Sequence, residues 1–279
     1  MTIDELIARA LAEDIGDGDH TTLSCIPLSA TGSARLIVNA DGILCGTEIA
    51  GKVFKILDPG LIMETFLTDG AVIHNGDVVF KVSGRVSSIL QAERLVLNFM
   101  QRMSGIATAT YRLVSQVSGF PVRILDTRKT TPLLRELEKM AVRTGGGGNH
   151  RMGLYDMIMI KDNHVDFAGG TEKAIDAAHV YLATKNKSLK IEIEVRNFAE
   201  LDSVLIHGGV DRIMLDNFST GDLKKAVELI GGRFESEASG GINENNIREY
   251  ASTGVNFISV GALTHHIQSL DMSLKAVRD

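Results

Sequence analysis

The stretch from Val122 to His164, VRILDTRKTTPLLRELEKMAVRTGGGGNHRMGLYDMIMIKDNH, gathers the side chains best suited to bind an anion. Arg123, Arg128, Lys129, Arg135, Lys139, Arg143, Arg151 and Lys161 stand there against Asp126, Glu136, Glu138, Asp156 and Asp162. Eight cations less five anions leave +3 in a chain whose formal charge is -6. Two apolar runs, 122–125 and 157–160, end in Asp126-Thr127-Arg128-Lys129 and in Lys161-Asp162-Asn163-His164. A buried strand that stops in charge delivers side chains to the mouth of an α/β structure. Thr131-Pro132 suggests a helix cap followed by proline at the first helical position, with Leu133, Leu134, Leu137, Met140 and Ala141 at helical spacing. A helix starting there would add its positive end to two cations and favour a strongly anionic ligand.

Further along, strand-like runs end in Glu192 and Glu194, in Asp216-Asn217, in Glu237-Ala238-Ser239-Gly240-Gly241 and in Val260-Gly261-Ala262. The glycines let backbone N–H groups approach a phosphate, and phosphate is commonly held after the last strands of a barrel. Cations, inward carboxylates and phosphate loops together suggest a phosphorylated sugar joined to an acidic partner. Gly145–Gly148 precedes Asn149-His150-Arg151 without a Walker lysine or a leading strand, so it is expected to be a helix stop and mobile linker. His265-His266 is expected at the surface. The carboxylates from Glu13 to Asp19 fit no EF-hand spacing and are assigned to turns and caps.

The elements that must position these groups follow from periodicity. Residues 1–13 form an amphipathic helix, and 33–84 are β-rich and punctuated by glycine. Lys81 falls inside a strand pattern, not at the hairpin tip a carrier domain would need. Ser88 and Gln91 resemble a capping box for a long helix, which Gly105 is expected to divide. Strands are expected at 122–126, 156–161, 190–195, 211–216, 233–238 and 256–260, with helices near 133–143, 171–184, 198–206, 221–230 and 244–253. This alternation predicts a parallel sheet, and six units predict a barrel short of eight strands. A last helix over 266–278 is expected to pack back on the first domain.

Bulk properties narrow the class. The chain has 279 residues, 44% hydrophobic and 23% charged, as in an ordinary soluble enzyme. Its negative charge argues against nucleic-acid partners, and no apolar run reaches the roughly 18 residues of a membrane span. The start of the sequence lacks signal-peptide features, and Cys25 and Cys45 lack metal spacing. Reduced thiols in a cytoplasm are expected.

Asp126-Thr-Arg-Lys-Thr130, Arg143-Thr-Gly-Gly-Gly-Gly-Asn-His-Arg151, Ile160-Lys-Asp-Asn-His164, Glu192-Ile-Glu-Val195, Leu215-Asp-Asn217 and Glu237-Ala-Ser-Gly-Gly-Ile242 resemble the quinolinate phosphoribosyltransferase family. The resemblance extends to Ala12-Glu-Asp-Ile-Gly16 and Ala92-Glu-Arg-Leu95. It implies an α/β fold with an N-terminal α/β sandwich over 1–105 and an incomplete α/β barrel over 106–279. It also implies conversion of quinolinate and phosphoribosyl pyrophosphate to nicotinate mononucleotide, pyrophosphate and CO₂. Arg128, His150, Arg151 and Lys161 match positions that hold quinolinate, with Arg94 reaching in from a second subunit of a dimer. Thr127, Lys129, Glu194 and Asp216 fall on the phosphoribosyl side, with catalytic roles implied for Lys129, Glu194 and Asp216. Glu194 and Asp216 would hold Mg²⁺ directly or through water, and Ser239, Gly240, Gly241, Val260, Gly261 and Ala262 the 5-phosphate. Glu194 is preferred to Glu192, although both lie on one strand face. Two rival readings fit parts of the pattern: a protein of the same architecture linked to molybdate uptake, which the 149–151 loop and Arg94 disfavour, and a non-catalytic carrier built on the β-rich first half.

Overall fold

The computed structural model describes residues 1–277. α1 (Ile3–Ile15) begins with a reciprocal cap: Glu5 N–H donates to Thr2 Oγ1 at 3.2 Å and Thr2 N–H to Glu5 Oε2 at 2.8 Å. Asp19 caps α2 (His20–Cys25), accepting from the Thr22 N–H at 3.0 Å, so the acidic stretch before it is helix punctuation. β1 (Thr31–Val38) and β2 (Gly42–Ile43) lead to α3 (Thr47–Leu57), a helix absent from the β-rich expectation. Its start has no local side-chain cap. Instead Asp69, distant in sequence, accepts the Gly46 and Thr47 N–H groups at 2.9 Å each. β3 (Ile62–Thr65), β4 (Val72–Ile73) and β5 (Val78–Arg85) follow, and Lys81 lies within β5 as expected.

α4 (Val86–Gln116) runs without a break, contrary to the expected division at Gly105. The glycine answers to packing: a Cβ there would stand 2.3 Å from the Gln268 carbonyl oxygen. Ser88 lies inside the helix, not at its cap, and its hydroxyl donates to Asp58 Oδ2 at 2.7 Å.

β6 (Arg123–Leu125) opens the alternating half of the chain. The helix expected from Leu133 starts later, as α5 (Arg135–Thr144), because Leu133 takes φ +67° and the Thr131 N–H donates to Glu138 Oε2 at 3.1 Å. No helix therefore begins next to Arg128 and Lys129. β7 (Ile158–Ile160) leads into α6 (Asp162–Ala168), an unexpected short helix, and then α7 (Thr171–Thr184). β8 (Ile191–Val195), α8 (Phe198–His207), β9 (Arg212–Asp216), α9 (Thr220–Ile230), β10 (Glu235–Ser239), α10 (Ile247–Ala251), β11 (Phe257–Ser259) and α11 (Ala262–His265) complete the alternation. The expected helix over 266–278 is instead β12 (Met272–Ala276), with Arg278 outside the described residues. Met272 and Leu274 point inward on alternate positions, and the strand pairs antiparallel with β1, Leu36 opposite Leu274.

The chain forms two compact units, and neither is one continuous piece. The first comprises Met1–Tyr111, Thr131–Gly146 and the chain from His266 onward, so the end of the chain returns to this unit while 131–146 crosses into it from beyond residue 106. Its antiparallel sheet has the order β12-β1-β5-β3. Phe54 of α3 meets Phe80 of β5 edge to face at 5.7 Å, and Leu36 of β1, fully buried, lies opposite Phe80 in the sheet. α5 is tied into this unit by Arg102 Nη2, 2.5 Å from the buried Glu138.

The second unit comprises Arg112–Thr130 and Gly147–His265. Its six strands are all parallel, in the order β6-β11-β10-β9-β8-β7. The first strand thus pairs with the last, as in a barrel, while β6 and β7 do not pair. Gly148 bridges the free side of β6 at Leu125, and its N–H donates to Ile124 O at 2.7 Å. The glycine run is therefore paired backbone at this point, not only a linker. A Cβ on Gly148 would fall 2.6 Å from Arg123 Nε. All five residues of β8 are buried, as expected for a parallel strand covered on both faces.

Gly105→Ala is expected to destabilise the protein by about 1–3 kcal/mol through overpacking against Gln268, measured by denaturant unfolding.

Candidate active site

The carboxyl ends of the parallel strands enclose two adjoining cavities within the second unit. One, of about 440 Å³, takes Arg128 and Lys129 after β6, His150 and Arg151 from the bridging loop, Lys161 after β7, Glu194 of β8 and Asp216 of β9. The other, of about 550 Å³, is built on Ser239-Gly240-Gly241 and Gly261-Ala262. Thr127, Lys129, Asp216, Ser239 and Ser259 line both.

The first cavity carries four full cations, Arg128, Lys129, Arg151 and Lys161, against two carboxylates. Burial, then the neighbouring Arg128 charge, lowers the pKa of Arg151 from its usual value. Two guanidinium groups packed this closely call for an anion between them. Arg128 Nε is buried without a hydrogen-bond partner among the described residues, which also calls for an acceptor. Lys161 Nζ is paired with Glu194 Oε2 and stands between the cationic and acidic walls. Asp216 is pushed above the usual carboxylate range, by burial first and then by Glu194. Met159 and Met214 give the cavity an apolar surface.

In the second cavity Gly240 has φ +100°, and a Cβ there would meet Asn217 Oδ1 at 2.1 Å. Gly241, at φ +61°, faces open space. Lys129 is steadied from below, because Thr264 Oγ1 donates to its carbonyl at 2.8 Å and its Cδ would lie 3.1 Å from a Cβ on Gly261.

Two predicted residues lie elsewhere. Arg94 is exposed on α4 in the first unit and lines neither cavity. Val260 is buried, and its N–H donates to Leu125 O at 2.9 Å, so it extends the β11–β6 pairing and faces neither cavity. Conversely His265, expected simply at the surface, is exposed but lines the second cavity together with Asn217 and Asn243. Asp162 and His164 serve α6: the Lys161 N–H donates to His164 Nδ1 at 2.9 Å.

Asp126 holds the bridging loop. It is fully buried and accepts from the His150 N–H at 2.8 Å and from Asn149 Nδ2 at 2.5 Å. Below the cavity lies a second, wholly buried group that sequence reading passed over. His150 Nε2 is 2.9 Å from Glu192 Oε2 and 3.5 Å from Glu237 Oε2, while Arg212 Nη1 donates to Glu237 Oε2 at 2.8 Å. Burial pushes both carboxyls above their usual range, and the charge of Glu192 raises Glu237 further. Glu192 and Glu194 both point inward at different depths, which alternation along β8 would allow.

His150, Glu192 and Glu237 also form the one three-residue group, among the described residues, with metal-capable atoms close together. A metal does not suit it. The Arg151 N–H donates to His150 Nδ1 at 2.7 Å, so the ring proton lies on Nε2, the atom facing the carboxylates, which then has no lone pair to give.

Replacing Asp126 by Ala strands the amide of His150 and should cost about 3 kcal/mol in a thermal or denaturant melt, with Asp126→Asn costing less.

Comparison with known proteins agrees with this geometry. The C-terminal domain model of quinolinate phosphoribosyl transferase matches residues 106–275, and the N-terminal domain model matches 19–104. A quinolinate phosphoribosyltransferase [decarboxylating] of Nicotiana tabacum is 46% identical over 285 residues, covering 97% of this chain and 81% of the relative. A probable nicotinate-nucleotide pyrophosphorylase of Bacillus subtilis is 39% identical over 274 residues, covering 98% and 93%. The solved structure of nicotinate-nucleotide pyrophosphorylase from Francisella tularensis superposes with a TM-score of 0.93 at 40% identity, covering 99% of this chain and 96% of that one. The chain belongs to the quinolinate phosphoribosyltransferase family.

Proposed function

We propose that this protein transfers the phosphoribosyl group of phosphoribosyl pyrophosphate to quinolinate, giving nicotinate mononucleotide, pyrophosphate and CO₂ in NAD biosynthesis. The observation that carries the reading is the pairing of cavities: a cationic wall of Arg128, Arg151 and Lys161 faces Glu194 and Asp216 next to two glycine loops. Quinolinate's adjacent carboxylates suit two guanidinium forks and an ammonium. Ser239, Gly240, Gly241, Gly261 and Ala262, which line the second cavity, would take the 5-phosphate.

Holding the diacid against Arg128 and Arg151 aims its ring nitrogen at the ribose carbon bearing pyrophosphate. As that C–O bond breaks and the C–N bond forms, positive charge on the ribose is stabilised by Glu194 and Asp216. Lys129, which lines both cavities, offsets the negative charge gathering on the departing pyrophosphate. The ring nitrogen is then cationic and stabilises the electron pair left on the adjacent ring carbon when its carboxylate departs as CO₂. A solvent proton completes the product.

Glu194 and Asp216 offer hard oxygen donors on one wall, a set that fits Mg²⁺ directly or through water. Mg²⁺ bound there would neutralise charge on the pyrophosphate. Arg94 is exposed, makes no hydrogen bond or ion pair with the described residues, and is free to serve the site of a second copy in a homodimer. The two free cysteines support a reducing, cytoplasmic setting.

Incubating the protein with quinolinate, phosphoribosyl pyrophosphate and Mg²⁺ should yield nicotinate mononucleotide and CO₂. No product from a folded enzyme would refute the assignment. Lys129→Ala should lower kcat by about 100-fold or more, and near-normal turnover would exclude its role. If sites are shared, mixing inactive Arg94→Ala and Lys129→Ala chains should restore about a quarter of wild-type activity in the exchanged mixture, because about half the dimers are mixed and each of those has one intact site. No restoration would count against Arg94 acting across the dimer.

A further inference from the structure

Two carboxylates that the proposed reaction does not use lie beneath the anion-binding cavity. Glu192 and Glu237 are each 0% exposed, on β8 and β10, with Arg212 of β9 on the strand between. Free negative charge below a diacid site would oppose the ligand, so these groups need another role. Arg212 supplies one partner, with Nη1 on Glu237 and Nη2 3.1 Å from Glu235. His150 is the other neighbour, its Nε2 2.9 Å from Glu192 Oε2 and 3.5 Å from Glu237 Oε2, close contacts short of an aligned hydrogen bond. The second ring nitrogen fixes the protonation state. Nδ1 receives the Arg151 N–H, and an imidazolium would set two N–H groups against each other there. Asp126 holds the His150 amide from the other side, so ring and backbone are both tied.

We propose that Glu237, held by Arg212, and Glu192 are positioning residues that keep His150 as its neutral Nε2–H tautomer. Nδ1 of His150 then fixes the Arg151 amide and so presents the Arg151 guanidinium to the diacid. The charge of quinolinate is met by Arg128, Arg151 and Lys161, and His150 adds none. This inference rests on the quinolinate reading for its kinetic arm and on geometry alone for its spectroscopic arm.

Nitrogen-15 NMR of histidine-labelled protein should show His150, assigned by the loss of its signal in His150→Asn, with a bare Nδ1 and a protonated Nε2. An imidazolium or an Nδ1–H ring in the wild type overturns the proposal, whatever the variants do. Glu237→Gln should raise the quinolinate KM about tenfold while kcat and the phosphoribosyl pyrophosphate KM stay within about twofold. The amide oxygen of His150→Asn falls near Nδ1 and that of His150→Gln near Nε2, so the quinolinate KM of the Gln variant should exceed that of the Asn variant by about threefold or more. An unchanged quinolinate KM in folded Glu237→Gln, or Gln outperforming Asn at 150, also overturns it. A wild-type protein that ignores quinolinate would defeat the functional reading, while the NMR result would still decide the histidine.

Discussion

Like charges brought together in a half-buried cleft govern the organisation of the second unit. Arg128 and Arg151 lie close enough that one guanidinium lowers the other's pKa, and Arg128 Nε has no acceptor among the described residues. Bringing two such groups out of water is unfavourable on its own and becomes favourable when an anion bridges them. The scaffold supplies the holding force. Asp126 anchors the Asn149 side chain and the His150 backbone, Gly148 pairs with β6, and Thr264 braces the Lys129 carbonyl. Asp126 and Gly148 tie the His150-Arg151 loop to the end of β6, and Thr264 ties the Lys129 loop to α11.

The acidic side is built differently. Glu194, Asp216 and the buried Glu192 and Glu237 all sit on strands, so their positions are set by register and not by loop conformation. Glu194 lies opposite Met214, and Asp216 opposite Ser239. Parallel register thus ranks the inward side chains by depth: ionic and dry at the level of Glu192 and Arg212, mixed at Glu194 and Met214, open at Asp216 and Ser239. A site on strands is held more precisely than one on loops.

Much of this was legible beforehand, for identifiable reasons. Most of the six strands were readable because short runs with Ile or Val stop at charge or at glycine, and the cavity residues cluster at those stops. Period two reveals which face a residue shares but not how deep it lies, which is why Glu192 and Glu194 could not be ranked. α3 escaped because its N-terminal groups are satisfied by Asp69 from another segment. β12 looked helical because its pairing partner, β1, lies at the far end of the chain, although Met272 and Leu274 alternate as a strand requires. Gly105 looked like a helix break because a glycine chosen for close packing and one chosen for flexibility are spelled the same way.

The excursion through α5 bears on how such a protein could be taken apart or recombined. Residues 131–146 belong to the first unit yet are encoded inside the second, and Glu138, almost wholly buried, relies on Arg102 for its counter-charge. A gene fragment covering only the barrel would carry α5 without that arginine, and one covering only the N-terminal half would keep the arginine and lose both α5 and β12. The two units are interleaved by their chain path, so no single cut in the chain separates one from the other.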